Sequence, residues 1–468
     1  MTMKRKLLFF LTAVVLVWSC SKGNDPIVPT YNNTIKTFVI NAAQNSGMDS
    51  DALVVKIGDI LYITVDEGVS LTSLIPTIES GEGTTFYIDD KPVDSGVTAV
   101  DLTKTAKLAL VSEDGEANIY YICAKNGDKL IDNEVYGIMK QYDIPGISVS
   151  ATKNETIKYS YGYGFANVQD MERTTPQHLF RLASVSKTQT SIAIMTLVER
   201  GKLKLSDRLF GKGGIFETEI GTEGLVANAD QVTIKHLLEH TSGWSGEHIF
   251  TESGSLSGSD VLKRMKYVVH NIPMTHPLGT KYDYYNMGFG LLGCVIEKIS
   301  GMDYEEFMRK EIYAPLGVTD IWVGKDLVGR RKNECVYYSQ DGKNGYGNNM
   351  YLIRALGGLI ASTEELMKVV AGVDYGEVVP DILKPATLDL MYKPSSAYNR
   401  YALGWRVNYP DFPHWSSYHG GTLAGTGTLL VRDKSRNAAA VILCNSRSYK
   451  DGFDDSMYEL LDFVMDRI

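Results

Sequence analysis

Ser184 and Lys187 stand three residues apart in the run Arg181-LASVSKTQTSIAIMTLVER-Gly201. A serine hydroxyl is a poor nucleophile until a base takes its proton, and a lysine serves as that base only where its pKa is pulled well below the free value. The start of a helix helps twice. It brings residues i and i+3 to one face, and its positive end penalises an ammonium while favouring a developing oxyanion. Two further patterns follow in order, Tyr284-Tyr-Asn286 and His419-Gly-Gly421, and the three together make a set for serine acyl transfer.

Each pattern alone is short enough to recur by chance. Ser-x-x-Lys also occurs at Ser19 to Lys22, and Tyr-x-Asn also begins at Tyr31 and Tyr346. Position separates the copies. Ser184 is expected to open a helix whose apolar residues Ile192, Ile194, Met195, Leu197 and Val198 recur at helical spacing, and which stops at Gly201, a residue suited to a left-handed cap. A rival pattern, His236-Leu-Leu-Glu-His240, spells a zinc motif if both imidazoles share a helical face. That helix must end at Thr241-Ser-Gly243, however, and no third ligand stands in a placed motif, so neither a metal nor a cofactor is expected. His178, His248, His270, His276 and His414 are expected on surfaces or in satisfied interior positions.

The elements that position these residues sit in a chain of 468 residues, long enough for two domains. Apolar content of 44%, charged content of 22% and a net charge of −9 are those of a globular protein, and they argue against a nucleic-acid partner. Residues 1–19 read as a signal peptide: Lys4, Arg5 and Lys6 precede an apolar stretch from Leu7 to Trp18, too short to span a bilayer. The sequence Ser19-Cys20 resembles a bacterial lipobox, which implies lipidation of Cys20, a tether over residues 20–33, and membrane attachment at the cell envelope, facing the periplasm or the surface of an outer membrane. An ordinary secretion signal is the alternative. Cys123, Cys294, Cys335 and Cys444 are far apart in sequence and are expected as buried free thiols.

Residues 34–126 carry short runs rich in β-branched and aromatic residues, such as Lys36-TFVI, Leu53-VVKI, Ile60-LYITV and Thr84-TFYI. They read as strands of an all-β sandwich. A hairpin is expected around Asp114-Gly115. The pattern resembles the immunoglobulin-like modules of Bacteroidetes surface lipoproteins, with the role of a spacer rather than of a carbohydrate-binding module.

Over residues 130–468 the phrases Ile144-PGISVSATKNETIKYSYGYGFAN, Leu179-FRLASVSK, Gly201-KLKLSDRL, Ile234-KHLLEHTSGW, Tyr284-YNMGFGLLGCVIEKISG, Gly357-GLIASTEEL and His419-GGTLAGTGTLLV resemble successive blocks of the serine β-lactamase-related family. That family includes class C β-lactamases, D-alanyl-D-alanine carboxypeptidases, D-aminopeptidases and esterases. The resemblance implies an antiparallel sheet flanked by helices with a helical subdomain. The sequence itself reads compatibly, with a hairpin from Ile147-SVSA to Thr156-IKYSYGYG, late strands Gly427-TLLVRD and Ala438-AAVILC, and a final helix Ser456-MYELLDFVMDRI.

The resemblance also implies roles. Ser184 would be acylated and Lys187 would help remove its proton. Tyr284, distinguished from Tyr282 and Tyr285 by the position of Asn286, would exchange protons with the leaving group and the hydrolytic water. A tyrosinate there needs a nearby cation, which Lys187 would supply. Asn286 would hydrogen-bond Lys187 or a substrate amide. The backbone amides of Ser184 and Thr422 would form the oxyanion hole, with Gly421 allowing close approach on an edge strand.

The third motif departs from the β-lactam-processing members, which carry Lys-Thr-Gly there. A largely neutral His419 binds a carboxylate less strongly, and Gly420 supplies no hydroxyl. The expectation is therefore a monomeric serine hydrolase acting on a small ester, amide or D-amino-acid peptide, rather than a good penicillinase. A D-alanyl-D-alanine carboxypeptidase or class C-like β-lactamase is the alternative, and a catalytically silent binding lipoprotein is the alternative of another class. Loops around Gly243 to Leu256 and Gly342 to Tyr351 are expected to shape the acyl pocket.

Overall fold

The computed structural model describes residues 33–468, so the leader, Cys20 and nearly all of the tether lie outside the described residues. The chain divides into two compact units, one running to Ile63 and resuming over Gly68–Lys125, the other made of Thr64–Glu67 and Asn126–Ile468.

In the first unit the β-rich runs form strands. Leu53–Ile57, Ile60–Val65, Ala117–Asn126, Ala106–Val111, Thr85–Ile88 and Lys91–Val93 lie in that order in one six-stranded sheet, and Thr37–Val39 pairs separately with Thr77–Glu79. The expected hairpin closes with Val111 opposite Ala117, and Gly115 takes the positive φ of 89° that the turn requires.

The second unit is built on a six-stranded antiparallel sheet in the order Glu172–Arg173, Thr156–Asn167, Gly146–Lys153, Ala438–Cys444, Thr426–Asp433, Ser417–Leu423. The first hairpin turns through Asn154 and Glu155 at φ of 49° and 58°, with Lys153 opposite Thr156; two left-handed residues match the twist of the strands they join. The centre of the sheet is a pairing between distant ends of the unit, with Ser150 opposite Val441. Ala438–Cys444 is buried at every position, so both faces of the sheet are covered. The hydroxyls of Ser148 and Ser150, which share one face, meet the Thr363 hydroxyl at 2.9 and 2.8 Å at the start of the helix Thr363–Ala371. The final helix, Phe453–Arg467, starts slightly earlier than its apolar spacing indicated and buries Phe453, Met457, Leu460, Leu461, Val464 and Met465.

The helix that follows Ser184 differs from its expectation. It spans Ser186–Glu199, and Ser184 lies just before it in a 3₁₀ turn, Ala183–Val185. Nor does it show one apolar stripe: every residue from Ser186 to Leu197 is buried, because the helix runs through the core of the helical half. Its polar residues are accommodated by hydrogen bonds. Ser186 Oγ accepts the Leu359 N–H at 3.2 Å, and Thr190 Oγ1 donates to the Ala355 carbonyl at 2.5 Å. The helix Asn286–Ser300 ends at Gly301, whose φ of 73° provides a left-handed cap.

Among the described residues no helix is long and apolar enough to cross a membrane. Cys123, Cys294, Cys335 and Cys444 are buried thiols.

Candidate active site

The turn that carries Ser184 is held from both sides. The Leu182 N–H donates to the Leu359 carbonyl at 2.8 Å, and the Leu182 carbonyl accepts from Thr428 Oγ1 at 2.9 Å. Between them Ala183 takes a φ of +46°, a region that costs an alanine roughly 1–3 kcal/mol and persists only where the surroundings impose it. Ser184 is the partly exposed residue of this otherwise buried turn. Its N–H is one of the free donors at a helix start.

Lys187 is fully buried, with Nζ 3.2 Å from Ser184 Oγ and 2.8 Å from the Leu356 carbonyl, to which it donates. Burial pushes its pKa well below the ordinary lysine value; the charge of Glu247 opposes that shift and the Arg406 guanidinium adds to it. The amine is thereby held ready to accept a proton.

Tyr284 precedes the helix Asn286–Ser300, and Lys187 Nζ lies 4.9 Å from the centre of its ring. Burial raises the phenol well above its usual range, against the opposing effects of its hydrogen bond with Ser184 and of Arg406. The expected tyrosinate is therefore not the favoured form. Lys187, driven toward the neutral amine, brings no charge to stabilise it, and Tyr284 stands as a phenol.

Of the two partners expected for Asn286, Lys187 or a substrate amide, Lys187 is not the one it takes here. Its Nδ2 donates to the carboxylate of Glu247 at 3.1 and 3.3 Å, not to a partner at Lys187.

His419 is buried on the edge strand Ser417–Leu423, and its bonds form one directional chain. The Tyr285 N–H donates to His240 Nδ1 at 3.0 Å, which leaves the His240 proton on Nε2, 3.1 Å from the Tyr401 hydroxyl. That hydroxyl lies 3.3 Å from His419 Nε2, and His419 Nδ1 donates to the Gly420 carbonyl at 2.7 Å. Each ring nitrogen has one partner, and both imidazoles are neutral: burial holds both pKa values far below the usual range, and the Arg406 guanidinium reinforces it.

The chain also settles the zinc motif. The helix Ile234–Leu238 ends before His240, which has a φ of 55°, and the His236 side chain caps that helix at Thr233. The two imidazoles do not share a helical face.

Tyr418 exchanges backbone bonds with Arg406, N to O at 2.9 Å each way, on the outer side of the edge strand. Strand alternation then directs the Thr422 N–H to the same outer side, away from Thr426–Asp433. Gly421 is required by space: a Cβ there would sit 2.5 Å from the Leu182 carbonyl oxygen.

These groups line a cleft of about 360 Å³ that includes Ser184, Tyr284, Asn286, His419, Gly421 and Thr422. Lys187 lies beneath its floor. The loop around Gly243 to Leu256 contributes Glu247, whereas none of the residues from 342 to 351 lines it. Glu247, Arg406 and Tyr401 had no role assigned from the sequence, and His240 stood there only in the zinc pattern. Glu247 lay within a loop already assigned to the pocket. Arg406 and Tyr401 carried no local signal, one among many cations and one among 28 tyrosines.

A buried lysine beside a serine at a helix start, a tyrosine above it and a glycine-lined strand edge define a serine-hydrolase site of the penicillin-recognising kind. Residues 131–462 match the beta-lactamase family, and the chain belongs to it. It is 24% identical over 327 residues to Protein flp of Staphylococcus aureus (strain NCTC 8325 / PS 47), covering 68% of this chain and 63% of that protein, so the match spans less than two thirds of that relative. It is likewise 24% identical over 373 residues to the N-acetylmuramyl-L-alanine amidase of Bacillus subtilis (strain 168), covering 68% and 80% of the two chains. Among solved structures it resembles the octameric penicillin-binding protein homologue from Pyrococcus abyssi, with a TM-score of 0.59 and 25% identity over 72% of this chain and 77% of that one. The fold is shared as well with the beta-lactamase/D-alanine carboxypeptidase from Pseudomonas syringae, at a TM-score of 0.58 and 18% identity over 72% and 98%.

Proposed function

We propose that the protein hydrolyses a small acyl compound through an acyl-enzyme on Ser184, with a short D-amino-acid peptide, amide or ester as substrate. The observation that carries this reading is the buried Lys187 amine 3.2 Å from Ser184 Oγ. The neutral amine takes the serine proton as Oγ attacks the carbonyl carbon, and the N–H groups of Ser184 and Thr422 receive the oxyanion. Tyr284 passes a proton to the leaving group and is reprotonated from Lys187. In the second half water attacks the ester, its proton returns by the same route, and Ser184 Oγ leaves as the hydroxyl.

Arg406 revises the argument from the third motif. The Nε2 of His419 is engaged by Tyr401, but the Arg406 guanidinium lines the same cleft, and that supports a substrate with a free carboxylate despite the missing lysine. Peptides ending in a D-amino acid fit this best. The leader is read as that of a lipid-anchored envelope protein, with the first unit as an immunoglobulin-like spacer.

The test is a fluorophosphonate probe followed by a panel of p-nitrophenyl esters, D-amino-acid amides, D-Ala-D-Ala peptides and nitrocefin. Labelling of the wild type but not of Ser184→Ala is expected, with Arg406→Ala raising KM for carboxylate-bearing peptides by about tenfold or more. A wild type that takes up no probe defeats the hydrolase reading in favour of a binding module. Rapid nitrocefin turnover defeats the preference for esters and peptides.

A further inference from the structure

The cleft holds two acids, and they differ in what they face. Asp454 is taken by Arg447, whose two terminal nitrogens meet its oxygens at 2.5 and 2.8 Å. Glu247 has no such partner. Its carboxylate is exposed and receives the neutral amide of Asn286 at 3.1 and 3.3 Å, and among the described residues it forms no salt bridge. A carboxylate offers about four acceptor positions, so one amide leaves acceptors open to the cleft. Arg406 lines the same cleft and is not ion-paired with Glu247 or any other acid among the described residues. Opposite charges that share a cleft without pairing suit a ligand that carries both signs.

From this we infer that Glu247 is a specificity-determining residue that binds a free ammonium group on the substrate, so that the preferred ligand is a short peptide with both its amino and its carboxyl group uncapped. The inference rests on the reading of the cleft as a peptide hydrolase site and adds to it which end-group the second charge recognises. An ammonium donates up to three hydrogen bonds, and a charge-assisted bond to a carboxylate discriminates strongly against an acylated nitrogen, which keeps one donor and loses the charge. The chemistry at Ser184 does not require this contact. Glu247 acts on which compounds are held, and Asn286 orients its carboxylate.

A purely structural role is the competing account, in which Glu247 serves only as an acceptor that fixes Asn286. Two variants separate the accounts. Glu247→Gln keeps an acceptor for Asn286 and removes the charge, whereas Glu247→Ala removes both.

The experiment is calorimetric binding of D-Ala-D-Ala and of N-acetyl-D-Ala-D-Ala to the Ser184→Ala protein, which turns over neither dipeptide and serves as the wild type at position 247, and to both variants in that background, with circular dichroism as a check of folding. Both ligands keep the carboxylate that Arg406 would meet, so the ratio of their dissociation constants reads the amine alone. In the wild type the uncapped dipeptide is expected to bind about tenfold or more tighter, and Glu247→Gln, like Glu247→Ala, is expected to bring the ratio near one. A ratio near one in the wild type, an unchanged ratio in Glu247→Gln, or no binding of either ligand overturns the assignment. Fluorophosphonate labelling of the same proteins with Ser184 intact tests the hydrolase reading separately, since it needs neither dipeptide.

Discussion

The ring of His240 lies 4.3 Å from the ring of Tyr284, tilted by 37°, while its Nε2 is 3.1 Å from the Tyr401 hydroxyl. Tyr284 is therefore backed by an imidazole whose tautomer is fixed from elsewhere, by a backbone N–H on one nitrogen and a phenol on the other. The same phenol reaches His419 on the edge strand. Through Tyr401 the tyrosine loop and the glycine strand are tied together beneath the cleft.

Removing that tie is informative. In Tyr401→Phe the His240 Nε2–H loses its acceptor and the His419 Nε2 its donor, both in buried surroundings. A loss of about 1–3 kcal/mol in unfolding free energy is expected from denaturant titration. An unchanged midpoint would show that water replaces the phenol.

Lys187 is expected to act as a neutral amine, which gives the pH profile a sign. Its pKa in the folded protein lies below the ordinary value, so kcat/KM on an activated ester falls as pH drops through the lowered pKa and is sustained above it. Between that pKa and the unfolded value of about 10.4 the unfolded chain binds more protons, so stability rises with pH in this window. Lys187→Met is expected to flatten that rise, and both Lys187→Met and Lys187→Ala to lower turnover at least about a hundredfold. Near-wild-type turnover in either folded variant would refute the assignment of the base.

Tyr284→Phe is expected to cost at least about a hundredfold in turnover of the same ester, the scale of losing one positioned proton donor. Because burial holds the phenol protonated, the wild type should show no alkaline loss of activity from Tyr284 below its ordinary value of about 10. Steady-state rates from neutral to alkaline pH check both statements.

Gly421→Ala places a methyl 2.5 Å from the Leu182 carbonyl oxygen, on the backbone that carries the nucleophile. The strand or the turn must shift. About 1–3 kcal/mol of destabilisation is expected, with a drop in kcat larger than any change in KM, since the Thr422 N–H moves with the strand. Thermal unfolding and single-substrate kinetics on the ester measure the two effects.

Much of the second unit was legible because its signals are local. The hairpin from Ile147 to Gly164, the late strands and the final helix follow from alternation, turn chemistry and helical spacing, which depend on neighbours within a few positions. The start of the nucleophile helix was less legible. Ser186 to Leu197 are buried on all sides, so no stripe marks an edge, and the left-handed Ala183 that sets Ser184 apart is imposed by two contacts from distant strands.

The sequence alone singled out Ser184, Lys187, Tyr284 and the glycine strand as candidates, because their residue types, order and place beside helix and strand patterns fit one chemistry. It also determined that a histidine stands in the third motif. Only the tertiary structure decided what that histidine does. Burial and a Tyr401 bridge hold His419 neutral and engaged, while Arg406 and Glu247, from segments with no catalytic pattern, bring the charges of the cleft. A pKa, a tautomer and a charge facing a cavity depend on what desolvates and surrounds each group. Those neighbours come from far along the chain, where no local spacing records them.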